Sequence, residues 1–239
     1  MREPSRSIRV AFVVLALNVF LGACQPKPYP ALRVPLDEFK RRIDTVCYDS
    51  LRMDFDLPDR KVRVADLEAM LRNVLEEEGY KVVPPQETIR VYRETVTRQG
   101  GYFDPNSGHR NDERYELVRK RALEELGKEL GCDAILIPTV AVVYAGFDPK
   151  GAQWDGMTEY LGLSADGWVR ALSIWVSIRD LSDEELYFGT GGIETLAVPS
   201  GELFGDDFEP VNIGDLLTNR SRNLGAVRIS LRPLLQWRE

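Results

Sequence analysis

The residues that most readily support chemistry are scarce in this chain, which has one histidine and three cysteines among its 239 residues. His109 lies in a glycine-rich stretch rather than at the end of a predicted strand, so we do not expect a catalytic triad around it. A zinc site normally needs several histidine or cysteine ligands, and no Cys-x-x-Cys spacing occurs. We therefore predict a surface or structural role for His109, no catalytic residue and no metal site.

Two glycine-containing motifs match ligand-binding loops only in part. Asp104-Pro-Asn-Ser-Gly108 offers oxygen ligands at alternate positions, but its glycine comes one position too early for a calcium-binding EF-hand, and the pattern is also that of a type I turn. Gly189-Thr-Gly-Gly-Ile-Glu194 lacks the third glycine of a dinucleotide-binding loop and opens no helix. We predict a turn for the first motif and a β-bulge or a close backbone approach for the second.

Paired carboxylates and tryptophans keep a carbohydrate-related function open. A glycosidase needs two carboxylates about 5–9.5 Å apart across a cleft. Asp54/Asp56 and Asp206/Asp207 are instead close pairs in predicted loops, where carboxylates are usually solvated. The sequence also contains Trp154, Trp168 and Trp175. Tryptophan rings can stack on sugar rings, but they can equally pack in a core or on a hairpin, and both roles are open here.

The amino-terminal segment has the organisation of a secretory signal peptide. Three arginines and one glutamate precede the apolar run Val10–Phe20, which is too short to cross the hydrocarbon core of a bilayer. Leu21-Gly22-Ala23-Cys24 then resembles a bacterial lipobox, which implies cleavage before Cys24, a diacylglycerol on its sulfur and an acyl chain on its new amino group. Two or three such chains anchor a protein stably in a membrane. The alternative is an ordinary signal peptide in which Cys24 is incidental.

These features predict the organisation of the chain. Residues 1–23 form a lipoprotein signal peptide, residues 24–36 a lipidated, proline-rich tether, and residues 37–239 a single periplasmic α/β domain. Gln25, rather than an aspartate, follows Cys24, which is similar to lipoproteins sorted to the outer membrane. We therefore expect the periplasmic face of the outer membrane if the organism has two membranes. No cofactor is expected apart from the lipid on Cys24.

Once Cys24 is assigned to the lipid, Cys47 and Cys132 remain as an even pair in an oxidising compartment. A disulfide between them and a pair of buried free thiols are both open at this point.

The charge of the chain bears on its partners. The net charge of −7 becomes −9 when the three arginines and one glutamate of the signal peptide are removed. An acidic chain argues against non-specific nucleic-acid binding, which requires a basic surface. Nine acidic residues and no lysine or arginine lie between Asp183 and Asp215, whereas the predicted final helix, residues 213–237, carries several arginines. These opposite charges pair either within one molecule or between copies.

The elements that position these residues alternate between helix and strand. A strand is predicted over residues 42–51, followed by a helix that ends at Gly79 and a short strand at residues 80–84. A second helix, capped by Asn111 or Asp112, ends at Gly131 and leads into a long apolar strand over residues 133–144. Leu172–Ile178 alternate apolar and polar residues and predict the first strand of a β-hairpin.

Two of these segments carry a family resemblance. Leu130-Gly-Cys-Asp-Ala-Ile-Leu-Ile137 and the hairpin formed by Leu172–Asp180 and Glu185–Phe188 resemble the curli-secretion-lipoprotein-like and TolB-amino-terminal-like group. The resemblance implies an α/β fold: a βαβ-based mixed sheet with helices packed on it, similar to anticodon-binding domains, with one β-hairpin and a C-terminal helix. The resemblance implies no catalytic residue in this chain.

The sequence as a whole favours a lipid-anchored cell-envelope protein of structural or assembly type, without catalysis. Its expected partners are the membrane, through the lipid, and envelope proteins or other copies of itself, but not nucleic acid. The alternative is a lipid-anchored module that binds envelope glycans, or a carboxylate-dependent glycan hydrolase.

Overall fold

The structure is a computed structural model that describes residues 30–103, 107–162, 166–199 and 208–235. The chain divides into Met1–Pro30 and a compact unit, Ala31–Glu239. The predicted signal peptide and Cys24 lie outside the described residues. In the described part of the chain, none of the helices has the length and apolarity needed to span a bilayer.

The described residues form an α/β domain, as the sequence predicts. The helices are α1 (Leu36–Arg42), α2 (Arg60–Glu77), α3 (Pro85–Arg98), α4 (Asp112–Leu130) and α5 (Arg220–Leu231), with a 3-10 turn at Arg232–Leu234. The strands are β1 (Thr45–Tyr48), β2 (Arg52–Met53), β3 (Lys81–Val83), β4 (Ala134–Asp148), β5 (Gly151–Trp154), β6 (Met157–Glu159), β7 (Gly167–Asp180), β8 (Glu185–Thr195), β9 (Ala197–Pro199) and β10 (Phe208–Pro210).

The main sheet is mixed and centred on β4. On one side β4 pairs in parallel with β1 and β2 and antiparallel with β5, and β1 pairs in parallel with β3. On the other side β4 pairs antiparallel with β7 along nearly its whole length, and β7 pairs with β8 to form the predicted hairpin. The predicted mixed sheet, hairpin and C-terminal helix are therefore confirmed.

The parallel half of the sheet begins where the two helix–glycine–strand units predict it. Gly79 and Gly131 follow α2 and α4 with φ of 94° and 67°, a left-handed conformation that suits glycine and ends a helix. Asp133, which precedes β4, accepts hydrogen bonds at Oδ2 from the backbone N–H groups of Asp44 and Thr45, both at 2.9 Å. This carboxylate fixes the start of β1 beside the start of β4.

Helices cover both faces of this half of the sheet. On one face, Leu71 of α2 and Val227 of α5 pack with Val140 and Ile174 in the larger core. On the other face, α3 and α4 pack over Ile135 in a smaller core that includes both cysteines. The two faces follow from the alternation of side chains along β4.

The glycine-rich motif of β8 allows α5 to approach the sheet closely. A Cβ atom at Gly189 would lie 2.0 Å from the carbonyl oxygen of Ser230. The pairing of β8 with β7 also contains a bulge between Leu172 and Ser173. The predicted bulge and close backbone approach are both confirmed.

The folded unit begins earlier in the chain than residue 37. Leu32 forms an antiparallel bridge with Tyr187, and the Arg33 N–H donates to the Leu186 carbonyl at 2.9 Å. Arg33 also forms an ion pair of 2.8 Å with Glu185. Residues 31–33, predicted as part of the tether, therefore lie along the outer edge of β8, where their backbone groups pair with an otherwise open strand.

The C-terminal helix is shorter than the predicted segment 213–237. Asn219 caps α5 by accepting a hydrogen bond from the Arg222 N–H at 3.1 Å. Before it, Leu217 has a left-handed backbone with φ of 60°, which a helix cannot contain. The apolar residues Leu216 and Leu217 are therefore buried by a turn rather than by a helix.

Candidate functional site

A second hairpin, β5–β6, continues the sheet from the far end of β4 and reaches α5, where a Cβ atom at its Gly156 would lie 2.9 Å from Ile229 Cγ2. Its two connecting residues, Asp155 and Gly156, have φ of 43° and 75°, as a type I′ turn requires. The expectations from sequence do not include this hairpin, although Asp-Gly between short strands is the strongest local signal for one. The hairpin folds across the sheet so that the Gly192 N–H of β8 donates to the Asp155 carbonyl at 3.0 Å.

The Asp155 carboxylate is held by two hydroxyl groups of the main sheet. Thr190 Oγ1 donates to Asp155 Oδ1 at 3.0 Å, and the Ser173 hydroxyl donates to Oδ2. With the backbone hydrogen bond from Gly192, both the main chain and the side chain of Asp155 are fixed. A carboxylate oxygen accepts more than one hydrogen bond, so Asp155 keeps acceptor capacity for a ligand.

An open groove of about 490 Å³ lies beside Asp155. We call it the aromatic groove, because five aromatic side chains contribute to its lining. The groove is lined by Val143, Tyr144, Gly146, Gln153, Trp154, Asp155, Trp168, Trp175, Phe188 and Thr190. Its volume is in the range of small-molecule sites in proteins, about 300–1,000 Å³.

Two of the aromatic side chains are strongly exposed and form what we call the aromatic platform. Tyr144 is 72% exposed and Trp168 is 74% exposed. Trp168 pairs with Gly146 across the sheet, and its ring lies over this glycine. A Cβ atom at Gly146 would be 3.5 Å from Cζ3 of the Trp168 ring. Tyr144 is two residues before Gly146 and therefore points to the same face. One side of the indole packs on the sheet, and the other is open.

The other two tryptophans lie deeper. Trp154 is 7% exposed and donates from Nε1 to the Leu172 carbonyl at 3.0 Å, so it belongs to the core under the hairpin. Trp175 is partly buried and packs edge-to-face on Phe188 with ring centroids 6.1 Å apart. The Trp175 Nε1–H is buried and has no hydrogen-bond partner among the described residues.

A second carboxylate lies on the opposite side of β8. Glu194 is 9% exposed, and its Oε1 accepts a hydrogen bond of 2.6 Å from the Leu217 N–H in the turn before α5. Burial raises the pKa of Glu194, and the hydrogen bond from Leu217 and the charge of Arg222 partly oppose this effect. Arg222 itself forms an ion pair of 2.9 Å with Glu159 of β6. This cluster joins the hairpin, β8 and α5, and we assign it a structural role.

The cysteines and the histidine lie away from the groove. The structure joins Cys47 and Cys132 in a disulfide with their Cα atoms 5.6 Å apart, within the usual range. His109 is exposed in the loop before α4. Cys24 lies outside the described residues, so its lipidation stays a prediction.

Of the acidic positions singled out in the sequence, Asp54 and Asp56 are described, and both are exposed. Asp56 pairs with Arg60 at the surface, and Asp54 is exposed. The predicted turn at Asp104 and the pair Asp206/Asp207 fall outside the described residues. Within those described, no group of three or more histidine, cysteine, aspartate or glutamate side chains is arranged to hold a metal ion.

The described acidic residues of the 183–215 segment pair mainly with arginines outside the final helix. Asp183 contacts Arg119 at 2.5 Å and Arg179 at 3.1 Å, and Glu185 contacts Arg33. In α5, Arg228 approaches Glu77 of α2 instead.

Comparison with known proteins gives structural similarities only. No protein-family model matches the sequence, and no curated protein matches it. The PelC dodecamer from Paraburkholderia phytofirmans is 14% identical, with a TM-score of 0.36, over 86% of this chain and 91% of that one. The LpoB C-terminal domain from Salmonella enterica is 12% identical, with a TM-score of 0.31, over 66% of this chain and 92% of that one. Scores this low support no conclusion about the function of this chain.

Proposed function

We propose that this chain is a lipid-anchored cell-envelope protein of structural or assembly type, which acts by binding a partner protein rather than by catalysis. The anchor is the lipid predicted on Cys24, at the periplasmic face of the outer membrane where the organism has one. The partner surface is the aromatic platform, Tyr144 and Trp168.

The exposure of the aromatic platform is the observation that carries this proposal. Two neighbouring aromatic side chains, each more than two-thirds exposed, stand on the paired strands β4 and β7. Exposed Tyr and Trp are enriched in interfaces, where they supply contact area at a small cost in conformational entropy. The backbones of both strands continue into the core of the domain, so the two residues have a fixed place in the fold.

The segment that links the anchor to the domain also supports the proposal. Residues 31–33 pair with β8, and the Phe188 N–H donates to the Ala31 carbonyl at 2.8 Å. Phe188 lines the aromatic groove. An extended chain spans at most about 3.3–3.6 Å per residue, so the seven residues from Cys24 to Ala31 allow roughly 25 Å. The lipid on Cys24 would therefore keep Ala31 within about that distance of the membrane.

Chemical cross-linking in intact cells, followed by mass spectrometry, tests the proposal. We expect the wild type to give protein adducts, and the double variant Tyr144→Ser/Trp168→Ser to lose them while it still folds, because both side chains are exposed. Val62→Ser is the matched control, since Val62 is 56% exposed on α2. Recovery of lipids alone, with neither a protein partner nor a self-contact, would contradict the proposal.

A glycan-binding module is the second candidate, and the composition of the aromatic groove favours it. Asp155 and Trp175 place a fixed carboxylate and a buried indole N–H, partnerless among the described residues, in one groove with the rings of Trp154 and Phe188. Glycan hydrolysis normally uses a second carboxylate about 5–9.5 Å from the first, and Asp155 is the only carboxylate in the described lining of the groove.

A further inference from the structure

The strand β4 has an open edge beside the aromatic platform. One side of β4 pairs with β7 over nearly its whole length. On the other side the pairing with β2 ends at Val140 and the pairing with β5 starts at Gly146, and no described strand pairs with β4 between them. We propose that residues 142–144 of this edge bind an extended, acidic segment of the partner protein as an added β-strand. This inference rests on the proposed function, because it states how the partner reaches the platform.

The pairing of β4 with β1 sets the direction of its backbone groups. The Leu136 carbonyl accepts a hydrogen bond from the Asp49 N–H at 2.8 Å, so the backbone groups of Leu136 point away from β7. This direction alternates along a strand, and the other even-numbered residues of β4 therefore point to the same side as Leu136. Among them, Val142 and Tyr144 lie between the ends of β2 and β5.

The pairing of β7 with the chain after β8 gives the same result. The Arg170 carbonyl accepts from the Leu196 N–H at 2.8 Å, so Arg170 points away from Tyr144, its partner in register on β4. The N–H and C=O groups of Val142 and Tyr144 consequently face the open edge. None of these four groups has a hydrogen-bond partner within the part of the chain that the structure describes.

The open edge lacks the features that usually protect an exposed strand, which are charged residues, proline or a bulge. Residues 141–145 are Ala-Val-Val-Tyr-Ala, and Val142 and Tyr144 are 36% and 72% exposed. The outer edge of β8, by contrast, is covered by residues 31–33. An exposed, uncharged edge of β-branched and aromatic residues suits strand addition, in which backbone hydrogen bonds supply affinity and alternate side chains supply specificity.

Arg170 determines the charge of the partner segment. It is exposed, and it forms no ion pair with any described residue. Neighbouring strands lie about 4.8 Å apart, so a residue opposite Tyr144 on the added strand would be roughly 10 Å from Arg170, within the combined reach of an arginine and a glutamate. The side chains of an added strand alternate between the two faces of the sheet, and only every second one meets the platform. We expect an acidic residue at the position that does.

Photo-cross-linking of the full-length protein in intact cells tests the inference, with a photoreactive amino acid in place of Tyr144. Val142→Pro removes one N–H from the open edge and leaves a carbonyl of the partner unpaired, so the yield of the partner adduct should fall about fivefold or more. Val142→Thr is the matched control, because it keeps the N–H and a β-branched side chain, and its yield should stay within about twofold.

The fold should tolerate Val142→Pro. Pro138 already occupies an even-numbered position of β4, and β4 still pairs with β7 there. Circular dichroism of the purified variant checks this. Arg170→Glu provides a second variant that leaves the backbone unchanged: it should lower the adduct yield about fivefold or more, whereas Arg170→Lys should stay within about twofold.

The sites of labelling give an independent readout. Adducts from positions 142 and 144 should map to one stretch of the partner, about two residues apart, since both side chains point to the same face. Labels in separate segments of the partner, an unchanged yield in Val142→Pro or in Arg170→Glu, or adducts that contain only another copy of this chain would overturn this inference alone. Absence of any protein adduct from position 144 would instead refute the proposed function, and strand addition with it.

Discussion

The backbone of Gly191 in β8 lies directly under the backbone of Ala226 in α5. A Cβ atom at Gly191 would be 2.0 Å from the Ala226 carbonyl oxygen and 3.0 Å from the Ser230 N–H nitrogen. The helix can pack on the sheet at this distance only because the strand carries no side chain there. The opposite face of this part of β8 carries Thr190, which orients Asp155. One strand, β8, therefore contacts α5 with one face and carries on its other face the Thr190 side chain that lines the aromatic groove.

Gly191→Ala should therefore destabilise the domain by about 3 kcal/mol, since the new methyl group meets backbone atoms that cannot move aside without shifting α5. Urea denaturation followed by circular dichroism measures this change. Gly225→Ala is the matched control in the middle of α5, where nothing lies within 4 Å of the added Cβ. It should leave stability unchanged or raise it by about 0.5–1 kcal/mol. Equal effects of the two substitutions would refute the close packing.

The raised pKa of Glu194 predicts a pH-dependent stability. The folded state keeps the proton of this carboxyl at pH values where the unfolded chain has lost it, so the free energy of unfolding falls as pH rises from the unfolded pKa through the folded one. Glu194→Gln keeps an oxygen that can accept the hydrogen bond from the Leu217 N–H, but it cannot titrate and should lack this fall. Denaturation of both proteins between about pH 4 and pH 8 gives the comparison. The same pH dependence of the free energy of unfolding in both proteins would contradict this prediction.

The disulfide between Cys47 and Cys132 should contribute about 2–4 kcal/mol, because it joins residues separated by 85 positions and so restricts the unfolded chain. Mass spectrometry of the unreduced protein should show a mass lower by two hydrogens than that of the reduced protein. Cys47→Ala/Cys132→Ala should unfold at lower urea concentration than the oxidised wild type and should not respond to reductant. A full set of free thiols in the freshly extracted protein would show that the two cysteines are unpaired in the cell.

The lipid anchor predicted at Cys24 has a direct test in cell fractionation. Cys24→Ala removes the only atom to which the diacylglycerol attaches, so the variant should appear in the soluble fraction or stay unprocessed. Cys47→Ala, which leaves Cys24 intact, should remain with the membrane and controls for the loss of a cysteine. Processed, membrane-bound Cys24→Ala would disprove the anchor.

Local sequence signals were sufficient where they agreed with the tertiary structure. The glycines that end α2 and α4, the alternation along β7 and the Asn111 cap, which accepts from the Arg114 N–H at 2.9 Å, all lie where the sequence predicts them. The hairpin β7–β8 follows from the same alternation and from the turn at Asp180–Glu185. These elements are determined by neighbours close in sequence or by a simple hydrophobic period.

Other features depend on contacts between distant residues. Leu217 has a left-handed backbone that a leucine rarely adopts, and it is stabilised by Glu194, 23 positions away in the sequence. The groove requires Asp155 to meet Thr190, 35 positions away, after β5–β6 has folded across the sheet. Asp-Gly predicts the turn, but no local pattern predicts which strand the turn then contacts. The candidate site was therefore visible in the sequence only as three tryptophans of uncertain role.

The central claim is that this domain acts through the aromatic platform, and site-specific photo-cross-linking in intact cells tests it most directly. A photoreactive amino acid replaces Tyr144 in one variant and Val62 in another, both of them exposed positions, on β4 and α2 respectively. Irradiation should give a discrete protein adduct from position 144 and none from position 62. Adducts from position 62 alone, or no adduct from position 144 in cells that contain the membrane-bound protein, would contradict the account.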